Sequence, residues 1–224
     1  MNFRYPIFLD LTGKRCLVTG EGFEVGSKVQ ALVDASAEVI YVNPTAEPKI
    51  AQLSATGLLT WLAREFQETD LDGCFLAIAD LEDNATVFRL CEERGILCNS
   101  VDDPEHCRFS FGSIHRRGEL TIAISTNGRA PAVAVRLKEK FQREIGPEYE
   151  VLLDILKEVR PEITSRIAEF GARRELWYKI VDSELLCLLR EGRVNDAHQL
   201  LRSLIEEAAN NISRSDISGD DGGQ

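Results

Sequence analysis

Histidine, tryptophan and methionine are scarce in this chain, at three, two and one residues. The three histidines, His106, His115 and His198, are too scattered to build a metal site by spacing, so no metal ligand set is expected. Neither a G-x-S-x-G elbow nor a paired cysteine and histidine signals a covalent nucleophile. Long apolar runs are absent as well: none approaches the roughly 20 residues that span a bilayer. The opening Met1-Asn2-Phe3-Arg4-Tyr5-Pro6 lacks the basic start, apolar stretch and small-residue cleavage site of a secretion signal. The expectation is a cytoplasmic protein with no membrane partner. Positive charge is short: 26 Lys and Arg face 37 Asp and Glu, a net charge of −11. A whole-surface nucleic-acid binder needs the opposite sign, so no nucleic-acid partner is expected. The six cysteines form no C-x-x-C pair, and most sit in apolar runs, the pattern of reduced, buried thiols.

What is present is an alternation of strand-like and helix-like stretches in the first half. The 224 residues suit one large domain or two small ones. Residues 15–19 are a short apolar run ending at Gly20, as a buried parallel strand does. Residues 25–37 carry Val29, Leu32, Val33 and Ser36 at helical spacing, and residues 38–42 read as the next strand. Residues 57–62, 74–79 and 96–101 read as further strands, with a helix over 84–94 stopped by Gly95. Strand, helix, strand repeated in this way implies a parallel sheet covered by helices. After Asp102 the pattern changes. Two strands flank Arg116-Arg117-Gly118, and a helix starts near Pro131 with Val133, Leu137, Phe141 and Ile145 marking a buried face. Residues 148–209 are helical in character, continuing after Pro161 and interrupted at Gly171, and residues 213–224 hold Ser, Gly and Asp and read as a disordered tail.

Four stretches carry candidate chemistry. Gly20-Glu21-Gly22, with Gly26 opening the helix, is close to G-x-G-x-x-G at the first strand-to-helix junction, where a pyrophosphate rests on a helix N-terminus. The acid expected after the second strand is missing, and Asn43-Pro44-Thr45 stands in its place. No arginine follows to hold a 2′-phosphate, which leans towards NAD. Asp102 follows a strand at the edge where ligands bind, although an aspartate before Asp103-Pro104 also suits a plain turn. Residues 113–143 reverse the local charge with Arg116, Arg117, Arg129, Arg136, Lys138, Lys140 and Arg143, which suits a polyanionic small ligand or a solvated helix face. The loop Ser125-Thr126-Asn127-Gly128 precedes a helix and could hold a carboxylate there, or simply turn the chain.

The sequence resembles the precorrin-2 dehydrogenase / sirohydrochlorin ferrochelatase family, which includes the dehydrogenase–chelatase part of siroheme synthase. The resemblance runs from Tyr5-Pro6-Ile7-Phe8-Leu9-Asp10-Leu11 through Cys16-Leu17-Val18-Thr19-Gly20-Glu21-Gly22 and Lys28 to Asn99-Ser100-Val101-Asp102-Asp103-Pro104. It continues over residues 120–131 and ends at Gly171-Ala172-Arg173-Arg174-Glu175-Leu176-Trp177. It implies an α/β fold with an N-terminal Rossmann-type parallel sheet (1–112), a central dimerisation segment (113–147) and a C-terminal helical domain (148–212). It implies NAD-dependent oxidation of precorrin-2 to sirohydrochlorin in a homodimer, and in some members insertion of ferrous iron. The family's catalytic aspartate falls on Asp102. Its NAD contacts fall on Gly20, Gly22, Phe23, Glu24, Pro44 and Thr45, and its tetrapyrrole loop on Ser125, Thr126, Asn127 and Gly128, with Arg116, Arg117 and Arg129 nearby in sequence. Departures are Glu21 in place of a glycine, Glu24-Val25 in place of Val-Ala, Ala79-Asp80-Leu81-Glu82-Asp83 where the family has Ala-Thr-Asp-Asp, and Gly112 in place of a proline. A second reading is a non-catalytic NAD-binding regulator whose helical half binds a partner.

Overall fold

The computed structural model describes residues 4–218, with side chains to residue 211. It divides into two compact units, Met1–Phe111 and Gly112–Gln224.

In the first unit, β1 (Arg15–Gly20), β2 (Glu38–Val42), β3 (Thr60–Leu62), β4 (Leu76–Asp80) and β5 (Leu97–Ser100) form one sheet in the order β3-β2-β1-β4-β5. All four pairings are parallel. The intervening helices are α1 (Phe23–Asp34), α2 (Pro48–Ala55) and α3 (Asn84–Arg94). Strand alternation explains why the sheet is covered on both faces. Cys16, Val18, Val39, Tyr41, Leu76 and Ile78 face one core with Val25 and Val29 of α1. Leu17, Ile40, Val42, Ala77, Ala79 and Cys98 face the other with Val87, Leu90 and Cys91 of α3. Each fully buried Leu, Ile or Val among them contributes about 1.5–3 kcal/mol. Helix α3 starts where the Asp83 carboxylate accepts the Thr86 amide at 3.0 Å. It stops at Gly95, whose left-handed φ of 68° ends the helix without a Cβ clash. Chain order reverses between β1 and β4, so the ends of these two strands flank the crevice that open α/β sheets use for ligands.

In the second unit β6 (Ser113–Arg117) and β7 (Leu120–Ile124) form an antiparallel hairpin, followed by α4 (Pro131–Glu144), α5 (Glu148–Arg166), α6 (Phe170–Val181), α7 (Leu185–Arg190) and α8 (Val194–Ser218). Leu152, Ile155, Ile163, Leu176, Ile180, Leu185, Leu201 and Ile205 close a separate helical core.

Several details differ from the sequence reading. Arg116 and Arg117 lie inside β6, because Arg117 pairs with Leu120 and the turn is Gly118-Glu119. Helix α5 continues past Pro161, as expected, but ends at Arg166 and not at Phe170, which opens α6. Gly171 sits in the first turn of α6, whose N-terminal amides, Gly171 and Ala172, are capped by the Glu169 carboxylate. On α4 the expected buried face is only partly covered by this chain: Phe141 and Ile145 are half-buried, Val133 and Leu137 are 50% and 40% exposed, and Ala134 is buried. Helix α8 extends to Ser218, into the stretch read as tail, because propagating a formed helix costs far less than nucleating one. The rest of that tail, 219–224, lies outside the described residues. Among the described residues no helix is long and apolar enough to cross a membrane.

Candidate functional site

The first unit builds an open glycine turn at its first strand–helix junction. Gly20 ends β1 opposite Asp80 of β4. Its φ is 111°, and a Cβ there would lie 2.5 Å from the Asp80 carbonyl oxygen, so only glycine lets the strands stay paired at this point. Gly22 is the N-cap of α1 with φ 96° and ψ 169°, and no side chain caps the helix. A Cβ on Gly22 would meet nothing within 4 Å. The turn therefore leaves open space over an uncapped helix N-terminus, which suits an anion such as a pyrophosphate.

A pocket of about 340 Å³ opens beside this turn, lined by Glu21, Gly22, Tyr41, Thr45, Ala46 and Glu47. The Tyr41 hydroxyl donates to the Gly20 carbonyl at 2.7 Å and so ties β2 to the glycine turn. Burial, with the Glu21 and Glu47 carboxylates adding to it, pushes this phenol up to about 12. The Asn43 amide donates to the Thr45 carbonyl at 2.9 Å, and the Thr45 hydroxyl donates to Glu21 at 3.3 Å. Glu24 is drawn onto Lys28 by a 2.7 Å ion pair along the helix. Both acids of the glycine loop thus have partners of their own. Phe23 is 83% exposed at the mouth of the turn, and Pro44 is exposed beside Thr45. Of the six residues named for the cofactor, Gly20, Gly22, Pro44 and Thr45 lie at or just past the ends of β1 and β2, and Phe23 and Glu24 are the first two residues of α1.

Asp102 is exposed and follows β5 on the same C-terminal edge of the sheet. Its φ of 54° is left-handed, which aspartate tolerates better than most residues. The turn that holds it is well anchored. The Val101 amide donates to the Ala79 carbonyl at 2.8 Å, and the Asn99 side chain donates to the Phe109 carbonyl at 2.9 Å. Next door, the Asp103 carboxylate lies 2.6 Å from His106 Nδ1, so Asp103 pins the turn. Sequence reasoning missed Asp80. Its carboxyl is pushed up from the ordinary range, first by burial and then by the Asp102 charge, with Lys28 opposing and Glu21 adding. Asp102, Asp80 and Glu21 therefore share one electrostatic neighbourhood. The signal was available: Asp80 is the last residue of a strand, the position where α/β sheets present functional groups. Glu47 was missed too, because it stands just before a helix that the sequence did not announce.

The remaining candidates belong to the second unit. Arg116 is exposed on β6. Arg117 Nε instead reaches the Ile145 carbonyl at 3.4 Å, at the end of α4, near the buried His115, whose Nε2 lies 3.3 Å from the same oxygen. The loop before α4 is shaped by its own side chains. The Asn127 amide donates to Ser125 Oγ at 3.1 Å, and the Ala130 amide to Thr126 Oγ1 at 3.3 Å. Asn127 and Gly128 have φ of 51° and 75°, and Arg129 is exposed.

Three family models match consecutive parts of the chain. Residues 7–113 match one described as "Putative NAD(P)-binding", residues 117–144 the sirohaem biosynthesis protein central region, and residues 148–205 the sirohaem synthase dimerisation region. The dimerisation model thus falls on the stretch read from sequence as the helical domain, not on 113–147. Siroheme synthase 1 of Serratia proteamaculans is 34% identical over 207 residues, which cover 91% of this chain and 44% of that protein. Siroheme synthase 1 of Aeromonas salmonicida is 34% identical over 206 residues, with 90% and 44% covered. The chain spans less than half the length of these relatives. Among solved structures, the precorrin-2 dehydrogenase SirC superposes with a TM-score of 0.74 at 24% identity, covering 89% of this chain and 99% of that one, a likeness of fold. With a putative NAD(P)-binding region, the sirohaem biosynthesis central region and the sirohaem synthase dimerisation region matched in this order, the chain belongs to the siroheme synthase family over the part of those proteins that it spans.

Proposed function

We propose that this chain oxidises precorrin-2 to sirohydrochlorin with NAD as the hydride acceptor, and that it does so as a homodimer. The observation that carries the reading is that an exposed carboxylate, Asp102, stands on the same sheet edge as an uncapped, glycine-lined helix N-terminus. The names of the relatives support the substrate class. When bound, the nicotinamide supplies a two-electron acceptor for hydride. The chain's own residues do the rest. Gly20 and Gly22 let the backbone approach the pyrophosphate, and the first turn of α1 offers it unpaired amides. Thr45 and the backbone of Pro44 border the ribose. Asp102 accepts or orients the proton that leaves as hydride departs. Arg116, Arg129 and the amides and hydroxyls of Ser125, Thr126, Asn127 and Gly128 offer donors to the carboxylates of the tetrapyrrole.

Asp102→Asn tests this. Asparagine keeps the size, the polarity and the tolerance of a left-handed φ, but removes the base. Sirohydrochlorin formation, followed by absorbance with precorrin-2 and NAD, should fall by about 10²–10⁴-fold while NAD affinity is kept. Near-normal turnover by the folded variant would remove Asp102 from the chemistry.

A further inference from the structure

We infer that Glu21 and Glu47 are the residues by which this chain distinguishes an unphosphorylated from a 2′-phosphorylated nicotinamide dinucleotide. The inference rests on the reading of the glycine turn as a dinucleotide site and names what sets its selectivity. The acid that usually binds the adenosine ribose at the end of β2 is absent, and Asn43, Pro44 and Thr45 stand there. The structure brings two carboxylates to the same pocket by other routes. Glu21 comes from the glycine loop and accepts the Thr45 hydroxyl at 3.3 Å. Glu47 comes from the start of α2, where it is the N-cap residue but makes no side-chain bond to its own helix. Its carboxylate leans instead over the first turn of α1, with Oε2 3.1 Å from where a Cβ on Gly26 would lie.

No lysine or arginine lines this pocket. Lys28, on the facing helix, is already engaged by Glu24 at 2.7 Å. Two carboxylates with no cation can accept hydrogen bonds from ribose hydroxyls. They repel a phosphate that carries about −1.5 to −2 charge. The repulsion has nowhere to be neutralised within the pocket, so the discrimination is electrostatic. That separates it from a steric filter, because exposed charges are screened by salt and volume is not.

The experiment measures the affinities of NAD and NADP by fluorescence titration of the full-length protein. Wild type is compared with Glu21→Gln, Glu47→Gln and the double variant, each checked for native circular dichroism. Glutamine keeps the shape and the hydrogen-bonding oxygen while removing the charge. The wild type should prefer NAD. The double variant should lower the NAD-to-NADP affinity ratio by about tenfold or more, since it removes both charges that repel the 2′-phosphate. Each single variant should account for part of this. Raising salt from 0.05 to 0.5 M should shrink the wild-type ratio and leave that of the double variant nearly constant. A ratio unchanged within twofold in the double variant would overturn the inference, as would a wild type that binds both equally; either result leaves the dinucleotide site standing. A wild type that binds neither would bring down the site and the inference together.

Discussion

At the scale of single residues, glycine geometry and one half-buried ion pair give sharp expectations. Gly22 has φ 96° and ψ 169°, a region open essentially to glycine alone. Gly22→Asp should therefore lose NAD binding and also about 1–3 kcal/mol of stability from backbone strain. Gly22→Ala carries the same strain without the charge, so comparing the two by cofactor titration and thermal melting isolates the electrostatic part. Elsewhere in the first unit Arg64 grips the Asp70 carboxylate with two bonds of 2.8 and 2.5 Å, and the Gln67 amide adds a third at 2.8 Å. The Arg64 bond, reinforced by Gln67 and opposed by burial, holds the Asp70 carboxyl below the ordinary range. A depressed carboxyl contributes stability that is complete above the ordinary carboxylate range and is lost as pH falls through the folded value. Asp70→Asn should destabilise the protein by about 1–3 kcal/mol at pH 7 in chemical denaturation. The gap to wild type should narrow below pH 4, and a constant gap would show that the charge is not what matters.

At the scale of elements, α4 is the telling case. Val133 and Leu137 follow one another at a helical spacing and stand 50% and 40% exposed, and Ile114 on β6 is 43% exposed. An apolar stripe that its own chain leaves open marks an interaction surface. The dimerisation model falls on 148–205, where Tyr178 and Val181 of α6 are 59% and 57% exposed. The two surfaces are told apart by charge. Val133→Asp/Leu137→Asp should turn a dimer into a monomer in sedimentation at micromolar concentration, with helicity retained because both positions face outward. A variant that remains dimeric would move the contact to α6.

At the scale of the whole molecule, the cores do not mix. Every residue of the two clusters on the sheet lies within the first unit, and every residue of the helical cluster lies within the second. Each unit buries its own apolar surface, which is what independent folding requires. Residues 1–111 expressed alone should unfold in one cooperative transition and bind NAD with an affinity close to that of the full chain. A molten fragment without a transition would show that the sheet needs the helical unit. The cysteines belong to the same account: Cys16, Cys91 and Cys98 are buried thiols of the sheet unit, and all six are free. Burial pushes Cys16 up to about 11, so it packs as a small apolar residue and is poorly reactive.

By itself the sequence determined the parallel sheet, the glycine turn and the position of Asp102. Those features depend on local patterns: apolar runs of strand length, Gly20 and Gly22 between strand and helix, and an aspartate just past a strand. It marked one apolar face of α4 within a dimerisation segment, but a helical period does not say which of those residues the chain itself covers: Ala134 is buried, and Val133 and Leu137 are not. It carried α5 on to Phe170, whereas that helix ends at Arg166 and Phe170 opens α6, because the Glu169 carboxylate caps a new helix there. It saw Glu21 only as a flaw in the glycine motif, and did not see Glu47 or Asp80 as parts of the site. Their meaning lies in the register of β1 against β4 and in the folding of α2 back towards α1, which bring residues 26 positions apart to one pocket and residues 60 apart to one strand pair. Long-range pairing decides where a charge points and what it meets, and no spacing along the chain encodes that.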